Sequence, residues 1–265
     1  MPPRPLYDPA SASGAWSLRY AWSGWSANGA FPADTTRHIH DLRSAWESDG
    51  LRVLQHRTDD DLLQIVFSAT PHVSPEFIAS RAKGRLGHAF RKSGVPVPFT
   101  RKVAVRSIGE NTRAAVESYI AGQVEKADYA DPRWKSAMEE LVFTTAAVDL
   151  NLPQETARGR YWYGLHIVLV TDGRVPFADL TTLRKIRDGC LQIAAKKSLR
   201  VSRLAVMPDH LHVALGPPSD MAPVEVVGAL QNNLAWMLGQ RRVWRDGYYA
   251  GTFGDYDMGA VRQPD

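Results

Sequence analysis

The chain has 265 residues, 44% of them hydrophobic, which is enough for one large domain or two domains of ordinary size. Its 32 Lys and Arg residues against 28 Asp and Glu permit a nucleic-acid partner without demanding one. The single cysteine, Cys190, excludes disulfides within the chain and cysteine-rich zinc sites. Because no apolar run approaches the roughly 18 residues of a membrane span and the N-terminus lacks an apolar signal core, we expect a soluble cytoplasmic protein without a membrane partner.

In chain order, the first half predicts a strand, a helix, a two-stranded hairpin, a second helix and a strand. These elements fall at 16–22, 35–48, 51–67, 74–93 and 101–107. A further helix is predicted at about 111–126, and a polar link at about 127–158 is expected to hold one more helix.

The second half predicts the same order of elements, at 161–171, 179–197, 201–215, 223–240 and 248–253. The order βαββαβ is that of the ferredoxin-like fold. We therefore predict an α+β protein with two ferredoxin-like halves in tandem: residues 1–126, a linker at 127–158, and residues 159–265.

The two halves also resemble each other in sequence. At a shift of 148 positions, residues 50–53 (Gly-Leu-Arg-Val) lie on 198–201 (Ser-Leu-Arg-Val), and residues 61–66 lie on 209–214. Further along, at a shift of 145, residues 107–110 lie on 252–255. Chance similarity between two unrelated halves is the alternative, but the nearly constant shift favours an internal duplication.

His210 and His212 flank Leu211 in a predicted strand. Side chains two apart on a strand share a face and lie about 7 Å apart along the chain, so two imidazoles there could hold a divalent cation with open positions for a phosphate. A pair of solvated histidines on a strand face is the alternative. His38 and His40 have the same spacing but fall in a predicted helix, where they do not share a face, and we expect them at the surface. His166 is isolated in sequence and is expected to be structural.

Residues 207–212, Met-Pro-Asp-His-Leu-His, resemble the Met-Pro-(Asn/Asp)-His-hydrophobe-His motif of the IS200/IS605-like tyrosine transposases, which include REP-associated members and form the single-tyrosine branch of the HUH endonucleases. Residues 243–249 and Val261-Arg262 are also similar to that family, so the resemblance covers about 159–263. It implies a ferredoxin-like fold, a bound Mg²⁺ or Mn²⁺, and a tyrosine that attacks single-stranded DNA. The product is a 5′-phosphotyrosine link and a free 3′-OH.

The family places its tyrosine on a helix after the last strand, as Tyr-hydrophobe-x-x-Gln, and the glutamine is the third metal ligand. The second half has Pro264 at the expected tyrosine position. The first half has Leu62 and Gln64 in place of the histidines, but its last helix carries Tyr119 and Gln123, which are four apart and share a helix face.

Dimeric members of the family often assemble their sites in trans. We therefore predict a fused pseudo-dimer with one composite site, in which Tyr119 is the nucleophile and His210, His212 and Gln123 bind the metal. We expect this pseudo-dimeric monomer either to act alone or to form a dimer with a second copy of the chain. Alternative nucleophiles are Tyr248, Tyr249 and Tyr256, and alternatively Tyr119 only packs on its own sheet.

Basic residues concentrate on the first half, which predicts that this half holds single-stranded, hairpin-containing DNA. The predicted DNA-binding residues are Arg81, Lys83, Arg85, Arg101 and Lys102. A solvated charged face is the alternative. The function predicted is that of a single-stranded DNA endonuclease and strand transferase. The alternatives are a domesticated, non-catalytic DNA-binding protein and an RNA-binding protein, although neither half has the aromatic pattern of RNA-recognition modules.

Overall fold

The computed structural model describes residues 5–8, 14–127 and 132–255. Within these ranges the chain forms an α+β fold with two six-stranded sheets and eight α-helices. None of the described helices is long and apolar enough to cross a membrane.

The elements of the first half and the linker follow closely on the predicted order. They are β1 (Gly14–Ser17), β2 (Arg19–Trp25), α1 (Thr35–Asp41), α2 (Arg43–Ser48), β3 (Leu51–Asp59), β4 (Leu62–Ala69), α3 (Pro75–Lys92), β5 (Val103–Ile108), α4 (Arg113–Ala121), α5 (Gln123–Lys126), α6 (Pro132–Glu139), β6 (Phe143–Thr144) and β7 (Gln154–Glu155). The helix predicted at 111–126 is divided at Gly122 into α4 and α5, and the helix predicted at 35–48 is divided at Leu42.

The second half contains β8 (Gly159–Trp162), β9 (Leu165–Thr171), α7 (Leu180–Lys196), β10 (Arg200–Val206), β11 (His210–Gly216), α8 (Pro223–Met237) and β12 (Trp244–Thr252), with a short 3₁₀ turn at Asp172–Arg174. The predicted helix at 179–197 is confirmed as α7, whose N-cap Asp179 accepts a hydrogen bond from the backbone of Thr182 at 2.7 Å.

Each half has four main strands, β2 to β5 in the first half and β9 to β12 in the second, and their spatial order is the same. The first sheet runs β3-β4-β2-β5-β8-β7, and the second runs β6-β10-β11-β9-β12-β1. In each half the second strand lies at one side, followed by the third, the first and the fourth.

Each half lends one strand to the sheet of the other half. β1 pairs in parallel with β12, with Ala15 opposite Tyr249, and β8 pairs in parallel with β5, with Tyr161 opposite Val105. The strands predicted at 16–22 and 161–171 are therefore each divided between two sheets. Periodicity detects an extended segment, but the strand that it pairs with depends on the tertiary structure.

The contacts between the halves near 107 and 252 are reciprocal. Ser107 Oγ donates to the carbonyl oxygen of Phe253 at 2.8 Å, and Thr252 Oγ1 donates to that of Ile108 at 2.6 Å. Ser107 and Thr252 are 145 positions apart in the sequence, as are Ile108 and Phe253. The two hydrogen bonds are therefore exchanged by the shift of 145 positions that relates the halves in sequence.

A second reciprocal contact joins the segments that precede α3 and α8. The backbone N–H of Glu76 donates to the carbonyl of Ser219 at 3.0 Å, and that of Val224 donates to the carbonyl of Pro71 at 3.0 Å. Glu76 and Val224 are 148 positions apart in the sequence, as are Pro71 and Ser219.

Helix α4 packs on the second sheet although it follows the last main strand of the first half. Its contacts are with β10 and β11. Leu211 and Val213 of β11 belong to the main hydrophobic core, whereas Ala214 belongs to a separate small cluster with Val116 and Ile120 of α4. This packing brings a helix of the first half over the strand that carries His212.

Candidate active site

The histidine strand begins at a tight turn between β10 and β11. The backbone N–H of Met207 donates to the carbonyl of His210 at 2.8 Å, and β11 then pairs with β9 on its other side. Because side chains alternate along a strand, Leu211 enters the core while His210 and His212 project from the opposite face. Their ring centroids are 5.0 Å apart.

An adjacent carboxylate orients His210. Its Nδ1 lies 2.6 Å from Oδ1 of Asp209, whose other oxygen accepts from Arg174 at 3.1 Å. Burial acts to raise the pKa of Asp209, but the hydrogen bond and charge of His210 and the charge of Arg174 outweigh it and hold that pKa below its usual range. An ionised carboxylate at Nδ1 places the ring proton there and leaves Nε2 as the free nitrogen.

His166 on β9, although isolated in the sequence, lies in the same cluster. Its Nε2 lies 3.1 Å from Nδ1 of His212, and the two rings are stacked at 23° with centroids 5.3 Å apart. Burial lowers the pKa of His166 to about 4. Burial, with the charges of His166, His210 and Lys126, lowers the pKa of His212 to about 3. Both rings are therefore neutral near pH 7, the form in which imidazole binds metals.

The position of His166 has one signal in the sequence. It occupies an outward position of a strand whose side chains alternate, and that strand lies beside β11. The signal becomes useful only once the pairing of β9 with β11 is known.

The tyrosine helix α4 is held on the second sheet by capping, packing and charge. Thr112 Oγ1 accepts from the N–H of Ala115 at 3.1 Å, and Asp255 Oδ1 accepts from the N–H of Arg113 at 3.1 Å. Ile120 is fully buried. The buried carboxylate of Glu117 lies 3.5 Å from Nη2 of Arg203 on β10, which ties the helix to the sheet through an ion pair between the halves.

These contacts place Tyr119 over the histidines. Its ring centroid is 5.5 Å from that of His212 and 6.0 Å from that of His166. The ammonium of Lys126 lies 4.4 Å from the centroid of the tyrosine ring. Tyr119 remains 44% exposed and lines a cleft of about 600 Å³, together with Asn111, Ala115, Val116, His166, Val168, His212 and Tyr249.

Gln123, the other residue predicted from this helix, is buried beside it. Its Nε2 donates to the carbonyl of Tyr119 at 3.0 Å, just after the helix is interrupted at Gly122. Within the described ranges, no group of three or more His, Cys, Asp or Glu side chains could hold a metal ion. The possible metal ligands that lie together here are imidazoles, whereas the amide of Gln123 donates to the carbonyl of Tyr119.

The alternative tyrosines differ in accessibility. Tyr248 is buried, whereas Tyr249 is 37% exposed and faces His166 across the cleft, with ring centroids 5.6 Å apart. Burial and the charge of Glu110 raise the pKa of Tyr249. Tyr256 and Pro264 lie outside the described residues.

The residues predicted to bind DNA separate onto different surfaces. Arg81 and Arg85 both contact Asp49, with an Arg85 Nε to Asp49 Oδ2 distance of 2.6 Å. Lys83 instead donates to the carbonyls of Thr100 and Arg101, at 2.7 and 3.3 Å.

Lys83 also lines a groove of about 630 Å³ between α3 and the start of β8, which includes Arg101 and Arg158. Burial lowers the pKa of Lys83. Lys102 is partly exposed and is not among the residues that line this groove.

Solved structures of low similarity include two transposases. A candidate transposase from Deinococcus radiodurans R1 is 22% identical over 33% of this chain and 75% of that one, with a TM-score of 0.31. A REP-associated tyrosine transposase bound to a REP hairpin is 10% identical over 36% of this chain and 58% of that one, with a TM-score of 0.32. The regulatory subunit of aspartate kinase from Thermus thermophilus covers 81% of this chain and 92% of its own at 8% identity and a TM-score of 0.21. These TM-scores are too low to transfer anything from those proteins.

A comparison with curated protein sequences gave no match. The family model for IS200-like transposases, in contrast, matches residues 160–263, the segment that contains β8 to β12 and the motif at 207–212. Over residues 160–263, the chain is therefore similar to the IS200-like transposase family.

Proposed function

We propose that this protein is a metal-dependent endonuclease and strand transferase for single-stranded DNA, with one active site shared between its two halves. The observation that carries the proposal is the contact between Tyr119 of the first half and His212 of the second, with ring centroids 5.5 Å apart. A tyrosine ring beside paired neutral imidazoles, at an open cleft, suits transfer of a phosphodiester through a covalent tyrosine link.

The donor set fits a divalent cation held by the Nε2 atoms of His210 and His212. Each of these rings has its Nδ1 engaged by a neighbour, which leaves the two Nε2 atoms available. Gln123 would complete the set if its amide turned from the carbonyl of Tyr119. Mg²⁺ or Mn²⁺ bound there would supply charge that polarises a phosphate.

The residues of the chain account for the transfer step. The hydroxyl oxygen of Tyr119 attacks the phosphorus, the bond from phosphorus to the 3′-oxygen breaks, and the proton lost by the tyrosine is balanced by the one that the 3′-hydroxyl gains. A free tyrosine has a pKa of about 10 and is a weak nucleophile near pH 7. The ammonium of Lys126 lies against the tyrosine ring, 4.4 Å from its centroid, and places a positive charge beside the cleft that a phosphate would enter.

A fused pseudo-dimer explains why one chain carries the parts of one site. The reciprocal contacts support it: Ser107 Oγ also accepts from the N–H of Gly164 at 2.9 Å, and Thr252 Oγ1 accepts from that of Arg19 at 2.8 Å. The matched strand order and the exchange of β1 and β8 support it as well. We infer two ferredoxin-like halves that arose by internal duplication.

The second site of such a pseudo-dimer would be inactive. Leu62 and Gln64 stand at the positions equivalent to the two histidines, and Gln64 is buried, with its Nε2 3.3 Å from Oγ of Ser23. Neither side chain supplies an imidazole.

The substrate would follow the basic groove that contains Lys83, Arg101 and Arg158, since phosphates bind where cationic side chains line a groove. We propose a hairpin-containing single strand as the substrate, in keeping with the similarity of residues 160–263 to IS200-like transposases. Arg81 and Arg85, paired with Asp49, are expected to contribute less than this groove.

The decisive experiment incubates the protein with labelled single-stranded DNA that contains a hairpin, in the presence of Mn²⁺. We expect a covalent adduct that resists denaturation, is lost in Tyr119→Phe and persists in the matched variant Tyr249→Phe. His212→Ala should also abolish it. An adduct that persists in Tyr119→Phe and disappears in Tyr249→Phe would refute the composite site. DNA binding without cleavage in the unmodified protein would instead support the non-catalytic DNA-binding alternative.

A further inference from the structure

His166 is bonded to one of the two metal-binding candidates but belongs to a different strand. β9 pairs antiparallel with β11, and His166 stands opposite Ala214, two residues from His212. The 3.1 Å separation of His166 Nε2 from His212 Nδ1, with ring planes inclined by 23°, is that of a hydrogen bond between two imidazoles. His212 is buried and His166 is partly buried.

A hydrogen bond between two neutral imidazoles needs one donor and one acceptor. If His166 donated from Nε2, His212 would accept at Nδ1 and carry its own proton on Nε2, which could not then bind a cation. If His212 donates from Nδ1, its Nε2 keeps a free lone pair that points away from His166. Only the second arrangement agrees with the proposed role of His212.

The same arrangement holds for the other histidine. Asp209 engages Nδ1 of His210 at 2.6 Å, as His166 engages Nδ1 of His212. Both histidines therefore present Nε2, but one is oriented by a carboxylate and the other by a neutral ring. A second carboxylate would add negative charge beside a phosphate substrate, and a neutral acceptor avoids that repulsion.

We propose that His166 is a positioning residue that accepts the Nδ1 proton of His212 and thereby holds His212 in the tautomer whose Nε2 can bind a divalent cation. His166 acts through His212, without touching the cation or the DNA. This inference rests on the proposed function.

The first test needs neither a cation nor a variant. Long-range ¹H–¹⁵N NMR spectra of the metal-free protein near pH 7 report which nitrogen of each imidazole carries the proton. We expect the proton of His212 on Nδ1 and that of His166 also on its Nδ1. A proton on Nε2 of His212 would overturn the proposal.

The second test measures Mn²⁺ affinity by titration of the metal-free protein, with unbound Mn²⁺ followed by electron paramagnetic resonance. His166→Leu removes the acceptor and should weaken binding by about 10- to 100-fold, the usual effect of losing an orienting partner. His166→Gln places an amide oxygen near the position of Nε2 and should restore most of the affinity and the Nδ1-protonated form of His212.

Two results would overturn the inference: unchanged affinity in His166→Leu, or a loss of affinity in His166→Gln as large as that in His166→Leu. Failure of the proposed function gives a different pattern. In that case the unmodified protein would not bind Mn²⁺ or form the DNA adduct, while the tautomer of His212 would still be measurable.

Discussion

Truncation of Ile120 to alanine should loosen the tyrosine helix without disturbing either sheet. Ile120 is fully buried in a small cluster that α4 shares with the second sheet, separate from the main core. Its neighbours there include Val116 of the same helix, Ala205 of β10 and Ala214 of β11. The substitution removes three carbon atoms from this cluster and leaves Tyr119, on the adjacent position, chemically unchanged.

Truncation of a fully buried isoleucine to alanine costs roughly 2–5 kcal/mol. The cluster around Ile120 is small and can partly collapse, so we expect the lower part of that range, about 2–3 kcal/mol. If α4 detaches from the sheet as a unit, this free energy raises the detached population by about 30- to 150-fold. Each detachment moves Tyr119 away from His212, so adduct formation should fall as well.

Hydrogen–deuterium exchange read on peptides from 113–121 measures this detachment directly. The matched control is Ile78→Ala, because Ile78 is also fully buried but lies on α3 in the main core. We expect faster exchange in α4 for Ile120→Ala only, and lower global stability for Ile78→Ala. The reasoning is refuted if α4 exchanges at the same rate in Ile120→Ala as in the unmodified protein, or if both variants loosen α4 equally.

Three further predictions follow from buried groups. Ser107→Ala and Thr252→Val should each lower the free energy of unfolding by about 1–3 kcal/mol, because each leaves a backbone carbonyl without its partner at the contact between the halves. Urea unfolding measures this loss. Unequal losses in the two variants would contradict the reciprocal contact. Burial raises the pKa of Cys190 to about 12, so a maleimide should label its thiol only after denaturation, and rapid labelling of the folded protein would contradict this burial. Burial also lowers the pKa of His166 to about 4 and that of His212 to about 3, so the unfolded chain takes up these protons below about pH 6.5 while the folded protein does not. The metal-free protein should therefore lose up to about 1.4 kcal/mol of stability per pH unit for each histidine as the pH falls from 6.5 toward 4, and a flat free energy of unfolding between pH 6.5 and 5 would contradict it.

Local periodicity was sufficient for the parts of the site that lie on single elements. Alternation along one strand predicts that His210 and His212 share a face. The spacing of four between Tyr119 and Gln123 predicts a shared face only on a continuous helix, and the structure divides that helix at Gly122. The order of elements in each half was also predictable, because helices and strands leave different apolar periods in the sequence. The interruption at Gly122 was not, and it accompanies the turn of the Gln123 amide toward the backbone of Tyr119.

The tertiary structure decided everything that depends on which segments become neighbours. Strand pairing brought His166 against His212, and the exchange of β1 and β8 divided two strands that look continuous in sequence. Asp49 forms ion pairs with two arginines of α3, while Lys83 of the same helix lines a separate groove. The physical reason is common to these features: each depends on contacts between residues distant in the chain, and no period within one segment records them.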